Sequence, residues 1–218
     1  MGEPRTWVDG PGDATCRVLF AHGAGTPGDH PFLARVAAGL AAHGLQVVRF
    51  EFPFMAARRA GMRRPPERLP RLVDSMVAAA AALPRGPAEL CLLGKSMGAR
   101  VACRAAQATG ALRVGCIGFP FHPPRHPERS RLEDLAACAV PTLVVQGERD
   151  PFGTRTEVGA MDLPRTAVLH WVPHADHDLR LPARMRGGAA DVVDEATEIL
   201  ARFFLDGQHP PVAVPMSP

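Results

Sequence analysis

Short continuous apolar runs alternate along this chain with stretches in which apolar residues recur every three or four positions. Residues 16–21, 45–50, 89–93, 114–118 and 142–146, with Val168 and Leu169 further on, read as strands. Helices are predicted from Phe32, Leu33, Val36 and Leu40 behind Pro31, over residues 69–83, and from Ala99, Val101, Ala102, Cys103, Ala105 and Ala106. A short helix is expected over 132–138, and Val192, Val193, Ala196, Ile199, Leu200 and Phe203 mark a last amphipathic one. The strands are apolar throughout rather than alternating, so both faces of the sheet are expected to be covered. Strand following helix in turn predicts an α/β fold with a mostly parallel, doubly wound sheet.

Residues 1–14 are polar and rich in Gly and Pro, with an edge strand expected near Trp7. Residues 15–206 read as one domain, without internal repeats, and 207–218, with four prolines, as a flexible tail. Only 119–141 separates two of the strands, which leaves no room for a lid domain. The arginine-rich stretch 58–66 reads as a loop.

Length and composition narrow the function. The 218 residues are 46% hydrophobic and 22% charged, ordinary for one globular domain with a sizeable core. A net charge of +3 without a Lys/Arg block argues against nucleic acid as partner. The five cysteines, Cys16, Cys91, Cys103, Cys116 and Cys138, form no Cys-x-x-Cys pair, so a disulfide framework is not expected. The first residues lack an apolar signal core, and the longest greasy run, 76–83, is too short to span a bilayer. The expectation is a cytoplasmic protein that does not engage a membrane.

The chemistry is concentrated where the 89–93 strand ends. Gly94-Lys95-Ser96-Met97-Gly98 is a Gly-x-Ser-x-Gly sequence between a predicted strand and a predicted helix, the context of a nucleophile elbow. A phosphate-binding Gly-x4-Gly-Lys-Ser loop is excluded, because Glu89 stands where its first glycine would be. In a parallel sheet the partners of Ser96 must come from loops at the carboxyl ends of the other strands. After the 142–146 strand, Asp150 is placed to be an orienting acid; Glu148 lies closer to the strand and is less free to point. After the last strand come His174 and His177, one of them a general base. His177 is deeper in the loop, with His174 as second choice. The order Ser, Asp, His is that of an acyl-transfer triad on this architecture. After the first strand, His22-Gly23-Ala24-Gly25 occupies the place of an oxyanion loop, so the N–H groups of Ala24 and Met97 are the candidate oxyanion donors. His174, Asp176 and His177 fit no established metal-ligand spacing, and no motif calls for a cofactor or a metal.

With these residues assembled, the chain resembles the α/β-hydrolase superfamily. It is most similar to a small lidless family related to dienelactone hydrolases, which also includes the hydrolase-like domain of a histone acetyltransferase complex subunit. The matching stretches are His22-Gly23-Ala24-Gly25 with Pro31-Phe32, Arg63-Arg64-Pro65-Pro66, Gly94 to Gly98, Phe119-Pro120-Phe121-His122-Pro123-Pro124, Gln146 to Gly153, and Asp176-His177. The resemblance implies Ser96 as nucleophile, Asp150 as acid and His177 as base, and it fixes no substrate.

The expected activity is serine-dependent hydrolysis of a small carboxylic ester or thioester through an acyl-enzyme, with a small-molecule acyl substrate as partner. Arg63, Arg64 and His122 are candidate substrate-binding residues. A non-catalytic interaction protein on the same fold, or an acyltransferase using the same three residues, are the competing readings.

Overall fold

In the computed structural model, which describes residues 5–185 and 191–207, seven strands form one sheet. They are β1 (Thr6–Asp9), β2 (Cys16–Ala21), β3 (Gln46–Phe50), β4 (Glu89–Lys95), β5 (Arg113–Ile117), β6 (Thr142–Gly147) and β7 (Ala167–Val172). The spatial order is β1-β3-β2-β4-β5-β6-β7, with β1 antiparallel to β3 and every other pair parallel. The helices are α1 (Pro31–Ala42), α2 (Pro53–Arg59), α3 (Leu69–Ala81), α4 (Met97–Thr109), α5 (Leu132–Ala136), α6 (Arg155–Gly159) and α7 (Val192–Asp206). A 3₁₀ turn spans Ala183–Met185.

The continuous apolar strands are explained by two cores, one on each face. Along β2, Val18 and Phe20 point toward α1 and α7, joining Leu33, Val36, Leu200 and Phe203. Leu19 and Ala21 point the other way, toward Leu72 and Met76 of α3 and Val101, Ala102 and Ala105 of α4. This is the period of two expected of a strand buried on both sides. All five cysteines are free and buried within these two layers. The carboxyl ends of β2, β3, β4, β5, β6 and β7 open on one edge, and the loops described below leave from there.

The fold differs from the sequence expectation between β3 and α3. Arg58 and Arg59 are not loop residues but the last turn of α2, where their charges face the carbonyl end of the helix. Pro53 opens that helix and Phe54, Met55 and Ala57 bury its inner face. Seven residues are too few for a helical period to stand out from the apolar run that precedes them. The five-residue α6 and the 3₁₀ turn are short in the same way. Of the tail expected over 207–218, Gly207 caps α7 and residues 208–218 lie outside the described residues; among the described residues no helix is long and apolar enough to cross a membrane.

Candidate active site

The geometry begins with two glycines that a Cβ would destroy. A methyl group on Gly94 would lie 2.2 Å from the carbonyl carbon of Gly98, and one on Gly98 would lie 2.5 Å from Ala21 O. Strand β4 and helix α4 can therefore approach closely enough to force Ser96 into φ 56°, ψ −115°, a region that L-residues rarely occupy. The backbone is held there by Ser96 N–H donating to Ile117 O at 3.0 Å and by Ser96 O accepting from Ala99 N at 2.9 Å. The hydroxyl is carried out beyond the sheet edge.

Two loops converge on it. His177, beyond β7, lies with Nε2 2.9 Å from Ser96 Oγ and Nδ1 2.7 Å from Asp150 Oδ2. Asp150, beyond β6, is fully buried, yet its carboxylate is well satisfied. Oδ1 accepts from Phe152 N at 2.8 Å, and Oδ2 accepts from Gln146 Nε2 at 2.9 Å as well as from His177. A carboxylate that only accepts requires Nδ1 of His177 to carry the proton, which leaves Nε2 free to accept from the serine hydroxyl. The ring of Phe152 lies 4.4 Å from that of His177, centroid to centroid. On the other side His177 closes against Gly118, where a Cβ would come within 3.1 Å of Nδ1.

The remaining candidates are placed as follows. His174 is exposed, and its contact is made by the backbone, whose N–H donates to Glu148 Oε2 at 3.0 Å. Glu148 is held by that bond and by Arg155 Nη1 at 2.6 Å. The Gly23–Ala24 segment lies against the elbow: a Cβ on Gly23 would sit 3.6 Å from Ser96 Cβ. As first residue of α4, Met97 has an N–H without a partner inside the helix. Arg63 and Arg64 are exposed and line an open cavity of about 530 Å³ with Arg58, Gly61, Met62 and Pro65. That cavity is tied to the Ala24 loop by one guanidinium, since Arg58 donates from Nε to Arg64 O at 2.7 Å and from Nη1 to Ala24 O at 2.9 Å. His122 is buried, with Nδ1 donating to Pro123 O at 2.9 Å and Nε2 3.5 Å from Glu157. Among the described residues no group of three or more His, Cys, Asp or Glu side chains is arranged to hold a metal ion.

Three further buried polar side chains adjoin this row, each inside a stretch named in the sequence but with no role assigned to it there. His22 is fully buried against the Gly23–Ala24 segment; burial, with smaller contributions from Arg59 and Arg58 against the pull of its bond to Gly23, depresses its pKa to about 4. Gln146 donates from Nε2 toward Asp150, Phe119 O and Gly153 O, binding the carboxylate to two neighbouring loops. Lys95, adjacent to Ser96, is buried and pairs with Asp178 at 3.3 Å. Their common signal is polarity at a strand end that is otherwise apolar.

Residues 14–205 match the family model described as an alpha/beta hydrolase domain. Among solved structures, the chain is similar to a dienelactone hydrolase from Anabaena variabilis, with 22% identity, a TM-score of 0.68, and coverage of 93% of this chain and 98% of that one. It is also similar to a serine hydrolase without a lid from Xanthomonas campestris (23% identity, TM-score 0.59, 80% of each chain). A third is Est1E from Butyrivibrio proteoclasticus bound to ferulic acid, at 13% identity and TM-score 0.69, covering 93% of this chain and 94% of that one.

Proposed function

The chain belongs to the alpha/beta hydrolase domain family, and from that premise we propose that it is a serine hydrolase acting on a small carboxylic ester or thioester. The observation that carries this reading is the unbroken hydrogen-bonded row Ser96–His177–Asp150, with 2.9 and 2.7 Å between successive polar atoms.

In the proposed reaction Ser96 Oγ attacks the acyl carbon while His177 Nε2 takes the hydroxyl proton, and Asp150 stabilises the imidazolium that forms. The oxygen of the tetrahedral intermediate is received by the N–H groups of Ala24 and Met97, each worth about 3 kcal/mol where such donors have been removed in other enzymes. His177 then returns the proton to the leaving alcohol or thiol. A water attacks the acyl-enzyme with His177 again as base, releasing the acid and restoring the Ser96 hydroxyl. The absence of an inserted domain between β5 and β6 favours small or exposed acyl groups over long chains. Arg63 and Arg64, beside Met62, supply a cationic and partly apolar surface for a substrate that carries a carboxylate.

The test is labelling with a fluorophosphonate probe. Wild type is expected to label, Ser96→Ala and His177→Ala to remain unlabelled, and His174→Ala to label at the wild-type rate, since His174 is held through its backbone. Folded wild-type protein that fails to label would overturn the hydrolase reading.

A further inference from the structure

The chain has 25 Lys and Arg residues, and Lys95 is the single lysine among them. It stands immediately before the nucleophile, at the end of β4, with 4% of its surface exposed. Its Nζ lies 3.3 Å from Oδ1 of Asp178, the residue that follows His177. The elbow and the histidine loop are thus joined twice, through Ser96–His177 and through Lys95–Asp178. We infer that Lys95 is a positioning residue, whose ammonium holds the loop that carries His177 in place over Ser96.

The loop is tied to the β6 side through His174 N–Glu148 Oε2 at 3.0 Å and Arg149 N–Ala175 O at 2.9 Å, and it needs a hold on the elbow as well. His174 and Leu179, on either side of His177, both have left-handed backbone, at φ 60° and 56°. Non-glycine residues keep that conformation only when their surroundings impose it. Inside the loop, Asp176 Oδ1 accepts from Asp178 N and Arg180 N at 2.9 Å each, which shapes the turn but does not attach it to the elbow. Lys95 supplies that attachment from beneath.

The residue type fits the place. Elsewhere the chain meets carboxylates with arginine, as at Arg49–Asp9 and Arg100–Asp134. A guanidinium is a rigid planar fork; an ammonium is a compact charge with three rotatable donors, suited to a nearly closed space below a tight turn. Burial pushes the Lys95 ammonium below the ordinary lysine range, and Asp178, then Asp150 and Asp176, pull it back. The same charge faces both the loop and the acid.

The effect on rate rests on the proposed serine-hydrolase reading; the effect on the loop does not. Lys95→Met, Asp178→Asn and the double variant are compared with wild type by two readouts. Ring resonances of His177, in protein with isotope-labelled histidine and identified by their loss in His177→Ala, are expected to shift and broaden in both single variants. With an ester substrate, kcat is expected to fall on the order of 10- to 100-fold, as for small misplacements of a reacting group, with KM changed less than about 2-fold. The double variant is expected to be no worse than the poorer single one, because both remove one interaction. If Lys95→Met does not fold, Asp178→Asn, at a half-exposed position, carries the test alone. Unaltered His177 resonances in folded variants, or losses that multiply in the double variant, would overturn the inference. Wild type that neither labels nor turns over an ester would defeat the hydrolase reading, while the resonance readout would still decide the role of Lys95.

Discussion

Nε2 of His22 lies 3.0 Å from the backbone nitrogen of Phe52 and accepts its N–H. That fixes the tautomer: the proton is on Nδ1, which donates to Gly23 O at 2.7 Å. In a planar trans peptide the N–H points opposite to the C=O, so holding the Gly23 carbonyl also aims the Ala24 N–H. One buried imidazole thus fastens the start of α2 to the candidate oxyanion loop.

The consequence for pH follows from the depressed pKa of His22, about 4 against an ordinary 6.5. Above about pH 6.5 the ring is neutral in both the folded and the unfolded chain, and its contribution is fully present. Below that pH the unfolded chain binds a proton that the folded one refuses, so stability falls from about pH 6.5 down to about pH 4. A difference of this size corresponds to about 3 kcal/mol, and burial of the ring leaves little solvent screening to reduce it. In urea denaturation at several pH values, the advantage of wild type over His22→Gln should narrow by roughly that amount between pH 7 and 4. A constant gap would contradict the assignment.

Asp150→Asn tests the tautomer of His177. Asp150 Oδ2 receives hydrogen bonds from both His177 Nδ1 and Gln146 Nε2. An amide nitrogen placed there would donate to Nδ1, move the ring proton to Nε2 and leave His177 unable to accept from Ser96. Ester hydrolysis is expected to drop about 10⁴-fold, with the fold retained by circular dichroism. A loss under about tenfold would show that Asp150 does not set the tautomer.

What could be read in the sequence divides along physical lines. Strands β2 to β6 declare themselves because burial on both faces demands uninterrupted apolar residues. The elbow does so because two glycines flank a serine between strand and helix. The order Ser96, Asp150, His177 names side chains that the fold brings into one row, because each stands at the end of a different parallel strand. Helix α2 escapes because Phe54 and Met55 read as a continuation of the greasy end of β3. The roles of His22, Gln146 and Lys95 escape for another reason. Their partners, Phe52, Phe119 and Asp178, are distant in sequence, and only the closed sheet shows them to be neighbours.

Gly147→Ala should separate folding from activity. A Cβ at this position would lie 2.3 Å from Asp176 O and 2.6 Å from Ala175 O, both backbone atoms that cannot turn aside. The segment must move away from β6, taking His177 with it, while the sheet itself is paired on both sides of β6. The expected outcome is a folded protein in which kcat falls on the order of 100-fold, the size associated with about 1 Å of misplacement. Activity within twofold of wild type would mean that the loop absorbs the methyl group without shifting its histidine.

The basic surface beside the site makes a prediction about which ester is preferred. Arg59 is occupied by Glu51, at 2.9 Å, and by Asp29, and Arg58 spends two donors on the carbonyls of Ala24 and Arg64. Arg64 has Glu67 at 4.0 Å, too far for a strong pair, and the side chain of Arg63 has no partner among the described residues. The guanidinium charge in the cavity of about 530 Å³ is therefore largely uncompensated and open to an anion. Arg63→Gln with Arg64→Gln should raise KM about tenfold for a monoester of a dicarboxylic acid, the effect of losing a charge-assisted bond of 1.5–3 kcal/mol partly screened by water. KM for the matching uncharged ester should stay within about twofold, and kcat should be unchanged for both, because binding that is equal in ground and transition states alters KM alone. Added salt should weaken the preference for the anionic ester in wild type and leave the double variant unaffected. Equal losses on charged and uncharged esters would assign these arginines to holding the loop rather than to the substrate.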